Sequence, residues 1–168
     1  MISSCENVWR QCKIRKGNLP ETGMVQQTTR YGMGVTVPLA YDEAVTRTKD
    51  ALAQEGFGVL SEIDIAATLK KKLDVDFAPY VILGACNPPL AYKALTTEPD
   101  IGLLLPCNLI VHADSAHGPS VVAAMDPVVA LELTGNDAIH AVATDVRARL
   151  QRVLESVERA AGSTPTAV

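Results

Sequence analysis

Hydrophobic and polar residues alternate along the segment 31–37, in which Met33, Val35 and Val37 are separated by glycine and threonine. A period of two is typical of a β-strand with one buried face. Similar apolar segments recur along the chain, and 80–86 is apolar at both alternating sets of positions, which favours a central strand covered on both sides. The predicted strands are 31–37, 57–63, 80–86, one within 101–113, and 119–125.

Helical periodicity is clearest near the end of the chain. Apolar residues recur three and four positions apart from Ile139 to Val157, which predicts an amphipathic helix of about six turns. Asp64 and Asn87 are suitable N-caps, and a proline directly after Asn87 is favoured at the first helical position. The shorter predicted helices are 42–55, 65–73, 88–95 and 127–133.

The order of elements is therefore a strand, a helix, four strands and a long helix, with short helices in the connections. This order predicts an α+β fold, in which an antiparallel sheet of about five strands has helices packed on one face. Residues 30–160 form the predicted domain. The polar, aperiodic segment 1–29 is expected to be a mobile extension outside it, and 161–168 a frayed tail.

Composition narrows the classes of function. A chain of 168 residues with 48% hydrophobic residues suits one globular domain. The net charge of −4 argues against a nucleic-acid partner. No segment approaches the roughly 20 apolar residues of a membrane helix, and the first residues lack the apolar core of a signal peptide. We therefore expect a cytoplasmic protein without a membrane partner.

The dipeptide Cys-Asn occurs twice, as Cys86-Asn87 and as Cys107-Asn108. Cys86 precedes a predicted helix, whose N-terminal N–H groups can stabilise a thiolate and lower its pKa. Gly84, two residues earlier on the same strand face, leaves space for a ligand to approach. Cys86 is accordingly a candidate reactive or ligand-binding thiol. The alternative is that it is a small apolar residue of the core.

Cys107 follows Pro106, which cannot donate to a sheet and indicates an edge, a bulge or a break in the strand. In a simple antiparallel ladder, Cys107 lies some five residues into its strand, about 16 Å out of register with Cys86. A bulge or a shifted register can instead bring both thiols to one pocket. Asn87 and Asn108 are candidate site residues, or simply a cap and a turn residue.

No metal site is predicted, because His112 lies five positions after Cys107 and a regular strand places the two side chains on opposite faces. The chain has no phosphate-binding loop, no Gly-x-Ser-x-Gly motif and no His-Glu-x-x-His motif. The sequence thus identifies no catalytic residue and no cofactor, and it favours a protein that is not an enzyme.

Four segments resemble the family called domain of unknown function 302. They are Tyr-Gly-Met-Gly at 31–34, Asp-Ile-Ala-Ala-Thr-Leu-Lys at 64–70, Tyr-Val-Ile-Leu-Gly-Ala-Cys-Asn-Pro at 80–88, and Leu-Leu-Pro-Cys-Asn at 104–108. The resemblance covers about 31–158 and implies a strand-helix-four-strand-helix fold, similar to TATA-binding-protein-like architectures, and a homodimer. It implies no established activity, and a shared fold does not transfer one.

Two functions remain open from the sequence. The first is a ligand-binding or thiol-linked redox module centred on Cys86 and Cys107, with Gly84, Asn87 and Asn108 beside them and a small molecule as ligand. The second is a structural or interaction domain that acts through a homodimer surface, in which both cysteines pack the core.

Overall fold

The computed structural model describes residues 25–162, which form one antiparallel sheet of six strands in the order β1-β2-β6-β5-β4-β3. This confirms the predicted α+β class. The strands are β1 Gln26–Thr29, β2 Gly32–Val37, β3 Gly58–Asp64, β4 Tyr80–Cys86, β5 Cys107–Ala113 and β6 Ser120–Met125.

The sheet has one strand more than expected. The additional strand, β1, lies inside the segment 1–29, which was expected to lie outside the domain, and it pairs with β2. Its sequence, Gln-Gln-Thr-Thr, has no apolar alternation. It belongs to the sheet through backbone pairing, which a hydrophobic pattern does not reveal. The rest of the expected extension, residues 1–24, and the end of the expected tail, residues 163–168, lie outside the described residues.

The helices lie between the strands and after the last one. Among residues 25–162, no helix combines the length and the apolar character that a membrane crossing requires. The helices are α1 Tyr41–Gln54, α2 Ile65–Leu73, α3 Pro88–Thr97, α4 Pro127–Leu131 and α5 Asp137–Gly162, with short 3-10 helices at Pro99–Leu104 and Glu132–Thr134.

The core lies between the sheet and the pair of helices α1 and α5, which pack against each other and against the central strands. Leu52 of α1 and Leu150 of α5 are fully buried, as are Leu83 and Leu109 of the sheet. Burying each such side chain stabilises the fold by about 1.5–3 kcal/mol. The apolar positions predicted for the last helix are all buried: Ile139, Val142, Val146, Leu150, Val153 and Val157.

The other side of the sheet, which we call the open face, does not contact this core. Residues that oppose each other in an antiparallel pair share a face, so the register of the strands identifies its members. They are Gln26, Thr29, Gly32, Gly34, Thr36, Ser61, Ile63, Tyr80, Ile82, Gly84, Asn108, Ile110, His112, Val121, Ala123 and Met125, with the pair Gly58 and Cys86 at the end of β4.

The long apolar segment before β5 differs from the predicted strand. Pro99–Leu104 forms a 3-10 helix with a proline in its first turn, and β5 begins only at Cys107, directly after Pro106. Proline fits the first turn of a helix, where no N–H partner is needed, and is excluded from a ladder position that must donate. The two prolines therefore limit the strand to the second half of the segment.

Asp126 joins the end of the sheet to two helices. Its side chain is 2% exposed, and Oδ1 accepts a hydrogen bond of 3.0 Å from the Val128 N–H, which caps α4. Oδ2 lies 3.1 Å from Nε of Arg147 on α5, although the N–H is not aimed along a hydrogen bond. The carboxylate is thus buried with one capped N–H group and one cation as partners.

Replacing Asp126 by alanine is expected to lower the free energy of unfolding by about 2–4 kcal/mol, because the change removes a helix cap and leaves the guanidinium without its partner. Urea denaturation followed by circular dichroism measures the loss. The control is Asp145→Ala, which removes the exposed partner of Arg149 on the same helix and should cost less than about 0.5 kcal/mol. Equal losses in the two variants would contradict this role of Asp126.

Candidate functional site

The register of β4 and β5 places the two Cys-Asn dipeptides at the same end of the sheet. Ala85 lies opposite Cys107, and Gly84 lies opposite Asn108. Cys86 and Cys107 are therefore neighbours on adjacent strands. The expected offset of about 16 Å is wrong, because β5 begins at Cys107 rather than about five residues earlier.

Cys86 lacks the low pKa expected from its position before a helix. It is half-buried at the end of β4, and burial raises the pKa of its thiol. Pro88 and Pro89, the first two residues of α3, have no N–H group. The next N–H, of Leu90, donates to Oδ1 of Asn87 over 3.3 Å. The helix start thus presents no unpaired donor from its first three residues to stabilise a thiolate.

Cys107 belongs to the core. It is 8% exposed, and burial together with the negative charge on a nearby ionised Cys86 raises its pKa to about 11. Both cysteines are free thiols. Because the thiolate is the reactive form of cysteine, these shifts make both groups poor nucleophiles at neutral pH.

Asn87 connects three helices. Its side chain caps α3, and its Nδ2 donates over 3.4 Å to the backbone oxygen of Glu55, the residue that ends α1. Arg149 of α5 donates to the same oxygen over 3.3 Å, and Arg152 forms hydrogen bonds of 2.8–3.1 Å with the Glu55 carboxylate. Asn87 is 8% exposed, so its polar atoms serve this junction rather than a solvent-facing site.

A small cavity of about 30 Å³ lies beneath α3. Apart from Asn87, its lining is apolar or thiol-bearing, and an apolar cavity of this kind favours apolar occupants over water. The lining residues are Phe57, Ala85, Cys86, Asn87, Leu90, Ala91, Ala94, Leu105, Cys107, Leu131, Val142 and Val146.

Gly84 and Asn108 are not part of this cavity. They lie opposite each other on the open face. The space expected beside Gly84 is already filled, because a Cβ atom there would collide with Oγ of Ser61 and would lie 2.8 Å from Cγ of Pro106. Asn108 is exposed. Of the five candidate residues, Cys86, Asn87 and Cys107 thus line the cavity, whereas Gly84 and Asn108 do not.

The cavity has no partner for acid–base catalysis or metal binding among its lining residues. His112 is on the open face whereas Cys107 faces the core, as their odd spacing predicts. Within residues 25–162, no three His, Cys, Asp or Glu side chains are placed to hold a metal ion. The arrangement can therefore accept a small apolar group, but its described residues do not form a nucleophile–base pair.

The open face is the second candidate site, and the sequence analysis did not identify it. Ile63, Ile82 and Ile110 lie side by side across β3, β4 and β5, and Ala123 continues the row on β6. Ile63 remains 46% exposed. The signal was present in strand 80–86, which is apolar on both faces. Such a strand predicts helices on both sides of the sheet, but in this chain the main helices α1 and α5 cover one side.

Comparison with known proteins identifies relatives of this chain. The family model for the domain of unknown function DUF302 matches residues 33–157. The fold is similar to the crystal structure of an uncharacterized conserved DUF302 protein from Bacillus stearothermophilus, with a TM-score of 0.71 and 30% sequence identity over 77% of this chain and 99% of that one. Among curated proteins, none matches the chain.

Alkylation of Cys86 is expected to accelerate up to pH 9 without reaching a plateau, because burial raises the pKa of the thiol above its ordinary value. The measurement uses iodoacetamide and mass spectrometry on a Cys5→Ser, Cys12→Ser background. Cys107 should react only after unfolding and provides the internal control. A rate that levels off below about pH 8 would show that the protein does stabilise the Cys86 thiolate.

Proposed function

We propose that this chain, which belongs to the family of the domain of unknown function DUF302, is an interaction domain that forms a homodimer through its open face. The observation that carries the proposal is the row of Ile63, Ile82 and Ile110, which lies across three strands on the side away from α1 and α5. A contiguous apolar patch on a protein surface is typical of an interaction site.

A second copy of the chain is the occupant that the charges favour. The open face as defined above contains no Asp, Glu, Lys or Arg. A twofold contact brings the same patch of each subunit together, so like charges on such a patch would repel. With none present, two open faces can meet without leaving buried charges unpaired.

The dimensions of the open face also suit such a contact. Six strands at a spacing of about 4.8 Å span about 24 Å, and six residues at about 3.4 Å span about 20 Å. This patch is of the same order as one partner's share of a standard interface, about 800 Å². Two sheets packed face to face would lie about 10 Å apart, with Ile110 and Ala123 near the centre of the contact.

The positions of the cysteines support this proposal over a reactive-thiol module. Cys107 is part of the buried core, and burial raises the pKa of both thiols. Asn87 is occupied by the helix junction, and the space beside Gly84 is filled. Of the residues expected to form a thiol site, Cys107, Asn87 and Gly84 are thus accounted for by packing and capping.

A second candidate function is the binding of a small apolar molecule in the cavity beneath α3. The specific observation that favours it is the cavity itself, which is lined by leucine, valine and alanine together with the two thiols. Its volume of about 30 Å³ limits the ligand to a few heavy atoms, unless α3 moves. In this proposal the thiols contribute polarizable surface rather than nucleophiles.

Replacing Ile110 by glutamate is expected to convert the homodimer into a monomer, because a carboxylate would be buried at the centre of the contact. Sedimentation equilibrium at neutral pH measures the oligomeric state. The matched control is Leu133→Glu, which makes the same kind of change at a side chain that is 82% exposed beside α4. A wild-type protein that is monomeric at high micromolar concentration would overturn the proposal, as would an Ile110→Glu variant that remains dimeric.

For the second candidate, xenon dissolved under pressure is expected to shift the methyl NMR signals of Leu90, Leu131 and Val146, since an apolar cavity binds xenon. The control is Ala94→Leu, which adds carbon atoms to the cavity wall and should abolish these shifts. Unchanged signals elsewhere verify that the variant folds. Methyl chemical shifts that do not change with xenon in the wild-type protein would exclude an accessible cavity.

A further inference from the structure

We infer that His112 makes the pairing of two open faces depend on pH, so that the homodimer separates in mildly acidic solution. This inference rests on the proposed homodimer. It adds to that proposal a residue that can regulate the contact and the direction of the regulation.

His112 lies on the open face, on a middle strand of the sheet and one row of paired residues away from Ile110. It lies on β5 opposite Tyr80 of β4 on one side and Val121 of β6 on the other. The imidazole stacks on the Tyr80 ring, with centroids 5.5 Å apart and planes 11° from parallel. The ring is half-buried even in a single subunit, so a partner that covers the open face would remove most of its remaining contact with water.

The groups around His112 offer little compensation for a positive charge. Val121 and Thr36 continue the row on β6 and β2, and Phe77 packs edge-on against the Tyr80 ring. Tyr80 is itself uncharged at neutral pH, because burial and the nearby Tyr31 raise its pKa. The carboxylate that acts on the imidazole is Asp114, which is exposed just beyond the strand.

The relative sizes of the effects of burial and of Asp114 determine in which direction the pKa of His112 shifts. Burial lowers the pKa of His112, and the opposing effect of Asp114 is smaller. The side chain is therefore neutral at pH 7 and takes up its proton only as the pH falls below its ordinary pKa of about 6.5. Contact between two open faces would exclude water further and favour the neutral form more strongly.

Protonation must therefore oppose association. A twofold contact contains two His112 side chains, one from each subunit, and each would be charged within an apolar interface. If neither His112 side chain can be protonated in the dimer, linkage predicts that the dissociation constant rises up to about 100-fold for each pH unit below the pKa of His112 in the monomer.

The test is sedimentation equilibrium of the full chain at pH 7.5 and pH 5.0, with circular dichroism at both values to verify folding. Wild-type protein is expected to be dimeric at pH 7.5 and to dissociate at pH 5.0. His112→Gln cannot be protonated and should remain dimeric at both. His140→Gln, which alters an exposed histidine at the start of α5, should behave like wild-type protein.

The possible outcomes distinguish failure of the proposed role of His112 from failure of the proposed homodimer. A wild-type dimer whose dissociation constant is the same at both pH values, or a His112→Gln dimer that dissociates as the wild type does, overturns the role of His112 and leaves the homodimer intact. A wild-type monomer at pH 7.5 overturns both. If His112→Gln is monomeric at pH 7.5, His112→Phe preserves a ring on Tyr80, and its dissociation at pH 5.0 would also overturn the inference.

Discussion

The burial of one face of the sheet against α1 and α5 is the interaction on which the rest of this structure depends. The strands β4, β5 and β6 present aliphatic side chains in both directions, but these two helices lie on one side only. The covered side contains fully buried residues such as Leu83, Leu109 and Val122. The opposite side has Ile63, Ile82 and Ile110, which residues 25–162 cover only in part. A surface of this kind gains stability whenever another apolar surface removes it from water.

The same packing decides what the cysteines can do. Cys107 faces the helices, so it shares their apolar surroundings, and Cys86 lies at the point where β4 ends and α3 begins. A helix N-terminus attracts anions through its unpaired N–H groups, but Pro88 and Pro89 remove two of them and Asn87 binds a third. With these donors gone, desolvation dominates, and it raises the pKa of both thiols.

Much of this architecture could be predicted from local patterns. Strand alternation, the caps Asp64 and Asn87, and the three-and-four spacing of α5 are all readable because each depends on residues close in sequence. The predictions that were wrong concern contacts between residues that are distant in the sequence. The polar β1 is held by its pairing with β2, and the register of β4 and β5 depends on where Pro106 allows the strand to begin. The prolines after Asn87 favour a helix start, and the same residues lack the N–H groups that would stabilise a thiolate there.

Gly84, Asn87 and Cys107 belong to one structural junction between β4, α3 and β5. Gly84 leaves room for Ser61 and Pro106 on one side of the sheet, whereas Cys107 fills space beneath α3 on the other. Asn87 then links the start of α3 to the end of α1. Every one of these roles requires a small or capping residue at a fixed position, which is a demand of the fold and needs no bound substrate. Within residues 25–162, the isoleucine row of the open face does not contribute to the core, because α1 and α5 lie on the other side of the sheet. The proposed function of this chain therefore depends on Ile110 and His112 rather than on Cys86.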